Sequence, residues 1–322
     1  MIIMIYNVST NFGNGNKQAL QIIQELRNLE VHPEEEVIID FRSYGENNPF
    51  SNLVIANTIR QFKQEHVNHM QMYPHSNTYL AHLGFYHMIG ADYGKALGEA
   101  QPSRNYVPIR KIEFSGDFYQ TIDKNAYDLA GLLYFDKDLQ GFLQFIFIET
   151  IRNVYEHSGD QSVYVTAQKW PSFDLLEIAI ADSGCGIAQS LKRRFPKYDD
   201  KKLMYLSCQP GISACSNYAY LERDDGWRNS GYGLYMLRKL AVAYGGSFLI
   251  CSDKTALWQT SEGVKEIDTD YHGTALAIRI KTNTGLDFAK TRDTIVREGE
   301  AKAKQLRGAI QKASRSSGGR YF

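Results

Sequence analysis

Between Leu139 and His157, oily and polar positions recur with the spacing of an α-helix. Leu139, Phe142, Leu143, Phe145, Ile146, Ile148, Ile151 and Val154 cover most of the circumference, which predicts a largely buried helix. Glu149, Asn153 and His157 fall four residues apart and stack on one side of it, bordered by Arg152 and Glu156. Most amphipathic helices turn such a stripe to water. Downstream, Ser162–Ala167 and Leu175–Ala181 alternate or run apolar and are rich in branched residues, which predicts two strands joined by a turn at Pro171-Ser172. Leu234, Leu237, Leu240 and Ala241 predict another helix, closed by Gly245-Gly246, and Ser247–Ser252, Thr255–Thr260 and Thr274–Ile280 read as further strands.

Chemistry gathers at the ends of these elements. The second strand runs directly into Asp182-Ser183-Gly184-Cys185-Gly186, where the glycines allow a sharp turn against a flat ligand and the carboxylate can accept a hydrogen bond from an amino group. Ser230-Gly231-Tyr232-Gly233 opens the Leu234 helix, and main-chain N–H groups at a helix start suit a phosphate chain. His272-Gly273-Thr274 begins the last strand. Each of these signals alone is commonly an ordinary turn or cap.

In this order and these settings the residues resemble the GHKL family of ATPases, over roughly residues 105–284. The resemblance implies an α/β fold: a two-layer sandwich with helices on one face of a mixed sheet, and ATP and Mg2+ held between the layers. By position it implies Glu149 as general base, Asn153 as the magnesium ligand and Asp182 as the acceptor for the adenine amino group. Gly184 and Gly186 would line the base, Gly231 and Gly233 would hold the phosphates, and Thr274 would support the adenine end, with His157, Ile187, Tyr232 and Leu234 as further nucleotide contacts. Residues 187–230 correspond to a lid, and their length exceeds what a simple connection needs. The run Glu149-Thr150-Ile151-Arg152-Asn153-Val154-Tyr155-Glu156-His157-Ser158 looks most like the anti-sigma-factor serine kinases. Sensor histidine kinases commonly carry Asn at the Glu position and a histidine-bearing helical hairpin before the ATP domain; here His66, His69, His75, His82 and His87 are scattered. ATP hydrolysis driving a conformational switch is the leading expectation. Transfer to a partner's Ser or Thr, and ATP-gated binding with little turnover, remain open.

The first part of the chain, 1–104, has a different rhythm. Met1–Val8 and Val37–Phe41 read as strands, Lys17–Glu30 and Leu53–Lys63 as amphipathic helices, and Tyr79–Ile89 as a helix broken at Gly84. Ile38-Ile39-Asp40-Phe41-Arg42-Ser43, the Asn48-Pro49-Phe50-Ser51-Asn52-Leu53 helix opening and Leu80-Ala81-His82-Leu83-Gly84-Phe85 faintly resemble a STAS domain. That likeness implies a protein partner, with Pro49 at the position of the family's phosphorylatable serine and Ser51 two residues on. Ser51 is expected as a helix cap.

Composition narrows the classes. With 322 residues and 43% hydrophobic content the chain can build two cores, and 36 basic against 36 acidic residues gives no global reason to bind nucleic acid or membrane. The apolar start Met1–Tyr6 is too short for a leader or a span, so a cytoplasmic protein is expected. Cys185, Cys208, Cys215 and Cys251 lack paired spacing, which predicts reduced thiols without zinc. Arg193, Arg194, Lys197, Lys201, Lys202 and Arg223 in the lid are expected mainly as solvated charge. Residues 285–322 predict a basic surface helix that packs back through Ile295, Leu306 and Ile310 before a flexible end. The resemblance also raises a homodimer, for which the sequence marks no surface.

Overall fold

A computed structural model describes residues 2–9, 15–32, 35–45, 48–66, 70–76, 79–91, 93, 105–114, 118–133, 137–214 and 230–314. Cys215, Arg223 and the chain after 314 lie outside the described residues. Among the described residues no helix is long and apolar enough to cross a membrane.

The first segment runs β1 (Ile2–Asn7), α1 (Gly15–Arg27), β2 (Glu35–Asp40), α2 (Pro49–His66), β3 (Met70–Tyr73). Its strands are parallel in the order β1-β2-β3. Right-handed crossovers that step in one direction put both helices on one face of the sheet. Ala19, Leu20, Ile22, Ile23 and Leu26 give α1 its buried stripe. The cap of α2 is Asn48, whose Oδ1 accepts from the Ser51 main-chain N–H at 2.8 Å, with Pro49 in the first helical position. Ser51, expected as the cap, is instead fully buried one turn inside. The cap falls to Asn48 because proline can open a helix but lacks the N–H a later start would need. Two single turns follow, α3 (Tyr79–His82) and α4 (Phe85–Met88), parted by Gly84 at φ 79°.

The second segment runs β4 (Tyr106–Glu113), α5 (Phe118–Leu132), α6 (Lys137–His157), β5 (Ser162–Trp170), β6 (Leu175–Ala181), α7 (Gly186–Lys192), α8 (Asp200–Ser207), α9 (Gly233–Ala243), β7 (Ser247–Thr260), β8 (Gly263–Lys281), α10 (Phe288–Ala303). The five strands lie in the order β4-β5-β6-β8-β7, and every neighbouring pair is antiparallel. The mixed sheet expected from the family resemblance is not what forms. β5-β6 and β7-β8 are hairpins, and β8 inserts between β6 and β7, so these two strands, which run the same way, never touch. β7 and β8 are also longer than the sequence suggests, because β7 continues through Asp253, whose φ of 53° makes an irregularity rather than an end.

Helices cover both faces of this sheet, not one as expected. On the front, Ile178, Ile180, Ile278 and Ile280 pack against Phe142, Ile146, Leu237 and Leu240 of α6 and α9. On the back, Ala179, Ala181, Ala275, Ala277 and Cys251 pack against α1 and α2 of the first segment, within one core shared with the three-stranded sheet. The result is a layered order of sheet, helices, sheet, helices. Glu177, buried on the back, accepts from the Phe50 N–H at 3.1 Å at the start of α2 and from Arg279 Nε at 2.8 Å. α10 lies against α9 and α6, its Phe288 ring stacked 5.5 Å from Phe142. Ile295 and Ile310 are buried and Leu306 half-buried, as the periodicity of the tail predicts.

Candidate functional site

The front layer leaves a cavity of about 100 Å³ between α6, the ends of β6 and β8, and the starts of α7 and α9. Strand alternation builds its floor. Ile180 and Asp182 are two apart on β6 and its exit, Thr274 and Leu276 two apart on β8, and the Asp182 N–H donates to the Thr274 carbonyl at 2.9 Å to hold the two ends in register. Gly273 at φ 99° makes that approach possible, since a Cβ there would lie 2.3 Å from the Asp182 carbonyl oxygen. α6 contributes Asn153 and His157, α7 Gly186 and Ile187, and α9 with its lead-in Gly231, Gly233 and Leu234.

Asp182 is 2% exposed, and its Oδ1 accepts from the Gly184 N–H at 2.8 Å. Burial pushes its pKa up to about 7, with a smaller push from the charge of Asp160, against the opposing pull of the main-chain N–H groups of Gly184 and Thr274. The carboxyl therefore shares a proton near neutrality. His157 goes the other way: burial and then the charge of Arg152 bring it down to about 4, so the ring is neutral at physiological pH.

Glu149 does not reach the cavity wall. Its carboxylate is fully buried and takes a charged hydrogen bond from Arg152 Nη2 at 2.5 Å, one helical turn on. It lies instead against the first turn of α9, where a Cβ on Gly233 would sit 2.5 Å from Glu149 Oε2 and 3.5 Å from Asn153 Nδ2. A larger residue at 233 would have to displace the Glu149 carboxylate from this position. Gly184 and Tyr232 also stand apart from the cavity. Gly184 lines a separate cleft behind the loop, and the Tyr232 hydroxyl donates to the carbonyls of Ile310 and Gln311, at 3.1 Å each.

The cavity also has walls that the motifs do not name: Thr150 and Val154 on α6, Ile180 and Leu276 on the strands, and Ile212 and Ser213 above. The strand pair was within reach of the sequence, because each lies two residues from a motif residue and therefore on the same face. Ile212 and Ser213 carry no such signal. They are held where they are by the Gly211 N–H to Gly231 carbonyl bond at 3.1 Å and by Arg194, which donates to the Ser213 and Gly308 carbonyls at 2.6 and 2.5 Å. Arg194 is thus tied into structure rather than solvated, and Lys201 pairs with Glu266 at 2.5 Å.

Ligand clefts typically run to roughly 300–1,000 Å³. A nucleotide would need more room than this cavity now has. The donor set suits the groups concerned: a carboxylate beside apolar walls for an adenine ring, and an amide oxygen with glycine-opened helix N–H groups for magnesium and phosphate. Among the described residues no group of three or more His, Cys, Asp or Glu side chains is placed to hold a metal alone. The described cysteines, Cys185, Cys208 and Cys251, are free thiols. Comparison with protein-family models gives no match for this chain, and comparison with curated proteins gives none either.

Proposed function

We propose that the cavity beside α6 binds ATP with Mg2+, and that the protein is a slow ATP hydrolase working as a nucleotide-driven switch. One observation carries the reading. Asp182, Asn153 and the Gly231–Gly233 helix start, far apart in sequence, line a single cavity whose other walls include Ile180, Ile187 and Leu276. An adenine ring fits apolar walls and gives its amino hydrogen to Asp182. The Asn153 amide oxygen is the protein ligand for magnesium, which commonly takes only one or two from protein and otherwise uses phosphate and water. When bound, the ion neutralises phosphate charge. The N–H groups opening α9 orient the phosphate chain.

The buried Glu149–Arg152 pair supports the low rate and favours the reading with little turnover over rapid hydrolysis. A general base must accept a proton, and a guanidinium at 2.5 Å opposes that until α9 and the stripe rearrange. Calorimetry of the full chain with millimolar ATP and MgCl2 tests the proposal. Saturable heat that requires the metal is expected, weakened about tenfold to a hundredfold in Asp182→Asn, as for loss of a charged hydrogen bond. Absence of heat sinks the reading. With γ-labelled ATP, released phosphate supports hydrolysis, whereas label on a Ser or Thr of an added extract points to a kinase.

A further inference from the structure

Behind the 182–184 loop, away from the cavity, lies a second cleft of about 520 Å³ between α2, the edge of β4 and β5, and the turn after α6. Its walls are almost wholly polar. Successive loop residues serve the two spaces: Asp182 lines the cavity, Ser183 and Gly184 line the cleft. α2 grips the loop there, with Arg60 Nη2 and Gln61 Nε2 each donating to Ser183 Oγ at 2.8 Å and Asn57 Nδ2 at 3.2 Å.

Two cations face this cleft, Arg60 and Lys111. The Glu113 carboxylate accepts from Lys111 at 2.7 Å and raises its pKa, while the charge of Arg60 works against it. Arg60 has no carboxylate partner among the described residues. It lies 5.3 Å over the Tyr164 ring and donates to neutral oxygens: Asn57 Oδ1 at 2.9 and 3.3 Å, Gln64 Oε1 at 3.5 Å, and Ser183. A guanidinium has five N–H donors, so one on Nη1 is left for an acceptor in the cleft. The one carboxylate lining the cleft, Asp160, is taken by the N–H groups of Ser183 at 2.9 Å and Ser162 at 3.3 Å. Gln61 is 4% exposed, and its Nε2 donates to Ser183 Oγ at 2.8 Å and to the His272 carbonyl at 3.2 Å, which fixes this wall of the cleft.

We propose that this cleft is a ligand site for a small phosphate-bearing metabolite, whose phosphoryl oxygens meet Arg60 and Lys111. A phosphate monoester presents three acceptor oxygens and so can meet Arg60 and Lys111 together, where a carboxylate presents two. Because Arg60 also holds Ser183, occupancy bears on the loop that carries Asp182. That coupling rests on the nucleotide reading; the binding does not.

The test is a titration of the nucleotide-free full chain with inorganic phosphate, followed by phosphorus NMR line broadening. Saturable binding is expected, weakened about fivefold in Lys111→Gln and retained in Lys111→Arg, as for the loss and restoration of one solvent-exposed ion pair. Lys111 is half-exposed on an edge strand and its partner Glu113 is exposed, so neither variant disturbs the core. No saturable binding, or wild-type affinity in Lys111→Gln, overturns the proposal. Phosphate binding without any ATP heat in calorimetry would leave this site standing and remove only the nucleotide reading.

Discussion

The two faces of the five-stranded sheet are buried by different means. The front is filled with large aliphatic side chains against helices of the same segment, and it leaves a gap into which polar groups project. The back is filled with alanines and a cysteine, which let α1 and α2 lie close, and its two main buried polar links cross the joint: Glu177 to Arg279 and the start of α2, Asn57 to the Tyr271 hydroxyl at 2.6 Å. Alternation along one strand sorts them, with Ile178 and Ile180 forward and Glu177, Ala179 and Ala181 back. The back face is therefore a structural joint. The front face keeps a buried carboxyl, Asp182, turned to a space rather than to a counter-charge, which is the arrangement expected where a ligand completes the bonding.

The largest effect expected from breaking this comparison is at Arg152. Both members of the front pair are within 1% of complete burial, so Arg152→Met takes the guanidinium away from a buried carboxylate. Loss of about 3–5 kcal/mol is expected, read from urea unfolding midpoints. On the back, the Arg279 side chain is one-third exposed and Glu177 keeps the Phe50 N–H, so Arg279→Met should lose clearly less. Equal losses would mean that burial does not distinguish the two pairs. Glu149→Gln keeps a hydrogen-bond acceptor for Arg152 but removes the carboxylate charge beside a buried guanidinium, so a turnover assay on it is read together with its unfolding midpoint.

Next in size is Asp182→Asn, where stability and binding should move in opposite directions. The folded pKa of Asp182, about 7, lies above its unfolded value. The carboxyl thus favours folding below about pH 4, and that contribution is lost as pH rises through 7, by up to about 4 kcal/mol. Asn does not titrate and its Oδ1 can still accept from Gly184. Thermal unfolding should show the variant close to wild type at pH 4 and more stable at pH 8. ATP affinity should fall in the variant, because the Asn amide donates where the adenine amino group also donates. In wild type it should weaken by up to about tenfold per pH unit below 7, since the amino donor favours the carboxylate. A stability gap that does not widen with pH would show that Asp182 is not held up by burial.

A third test sets neighbouring residues on opposite faces against each other. Ala277 faces back and Ile278 front. Ala277→Leu should cost about 1–3 kcal/mol, because α1 and α2 leave no room for the added carbons. Were the back face open to water, the same change would be near neutral.

That back face was only half legible in the sequence. Leu175–Ala181 reads as apolar at nearly every position, the mark of a strand covered on both sides, but the family resemblance drew attention to one layer of helices. β4 escaped because Pro108 and the pair Arg110-Lys111 break its alternation, and its register with β5 shifts at that point. The polar stripe was legible because α6 is long enough for a four-residue period to hold over Glu149, Asn153 and His157. What period cannot tell is depth: Glu149 lies beneath the cavity wall, held by Arg152 three residues on. Nor does spacing separate Gly184 from Gly186, which fall on different sides of one loop.

The smallest expected effect concerns the two ends, Gly211 and Ser230, that flank the front cavity. The tail after α10 crosses them: the Ile310 N–H donates to the Gly211 carbonyl at 2.8 Å, the Ser314 N–H to Ser230 Oγ at 2.9 Å, and the Tyr232 hydroxyl to two tail carbonyls. Tyr232→Phe removes only the last of these while keeping the ring in its place. A neutral hydrogen bond is worth about 0.5–1.5 kcal/mol net, and removing it near the chain end should loosen residues 308–314 without changing global unfolding by more than that. Hydrogen exchange should quicken at the Ile310 and Ser314 amides and stay unchanged at α2 on the back. Faster exchange on both faces would mean that front and back open as one unit, and the contrast between a movable front and a fixed joint would fail.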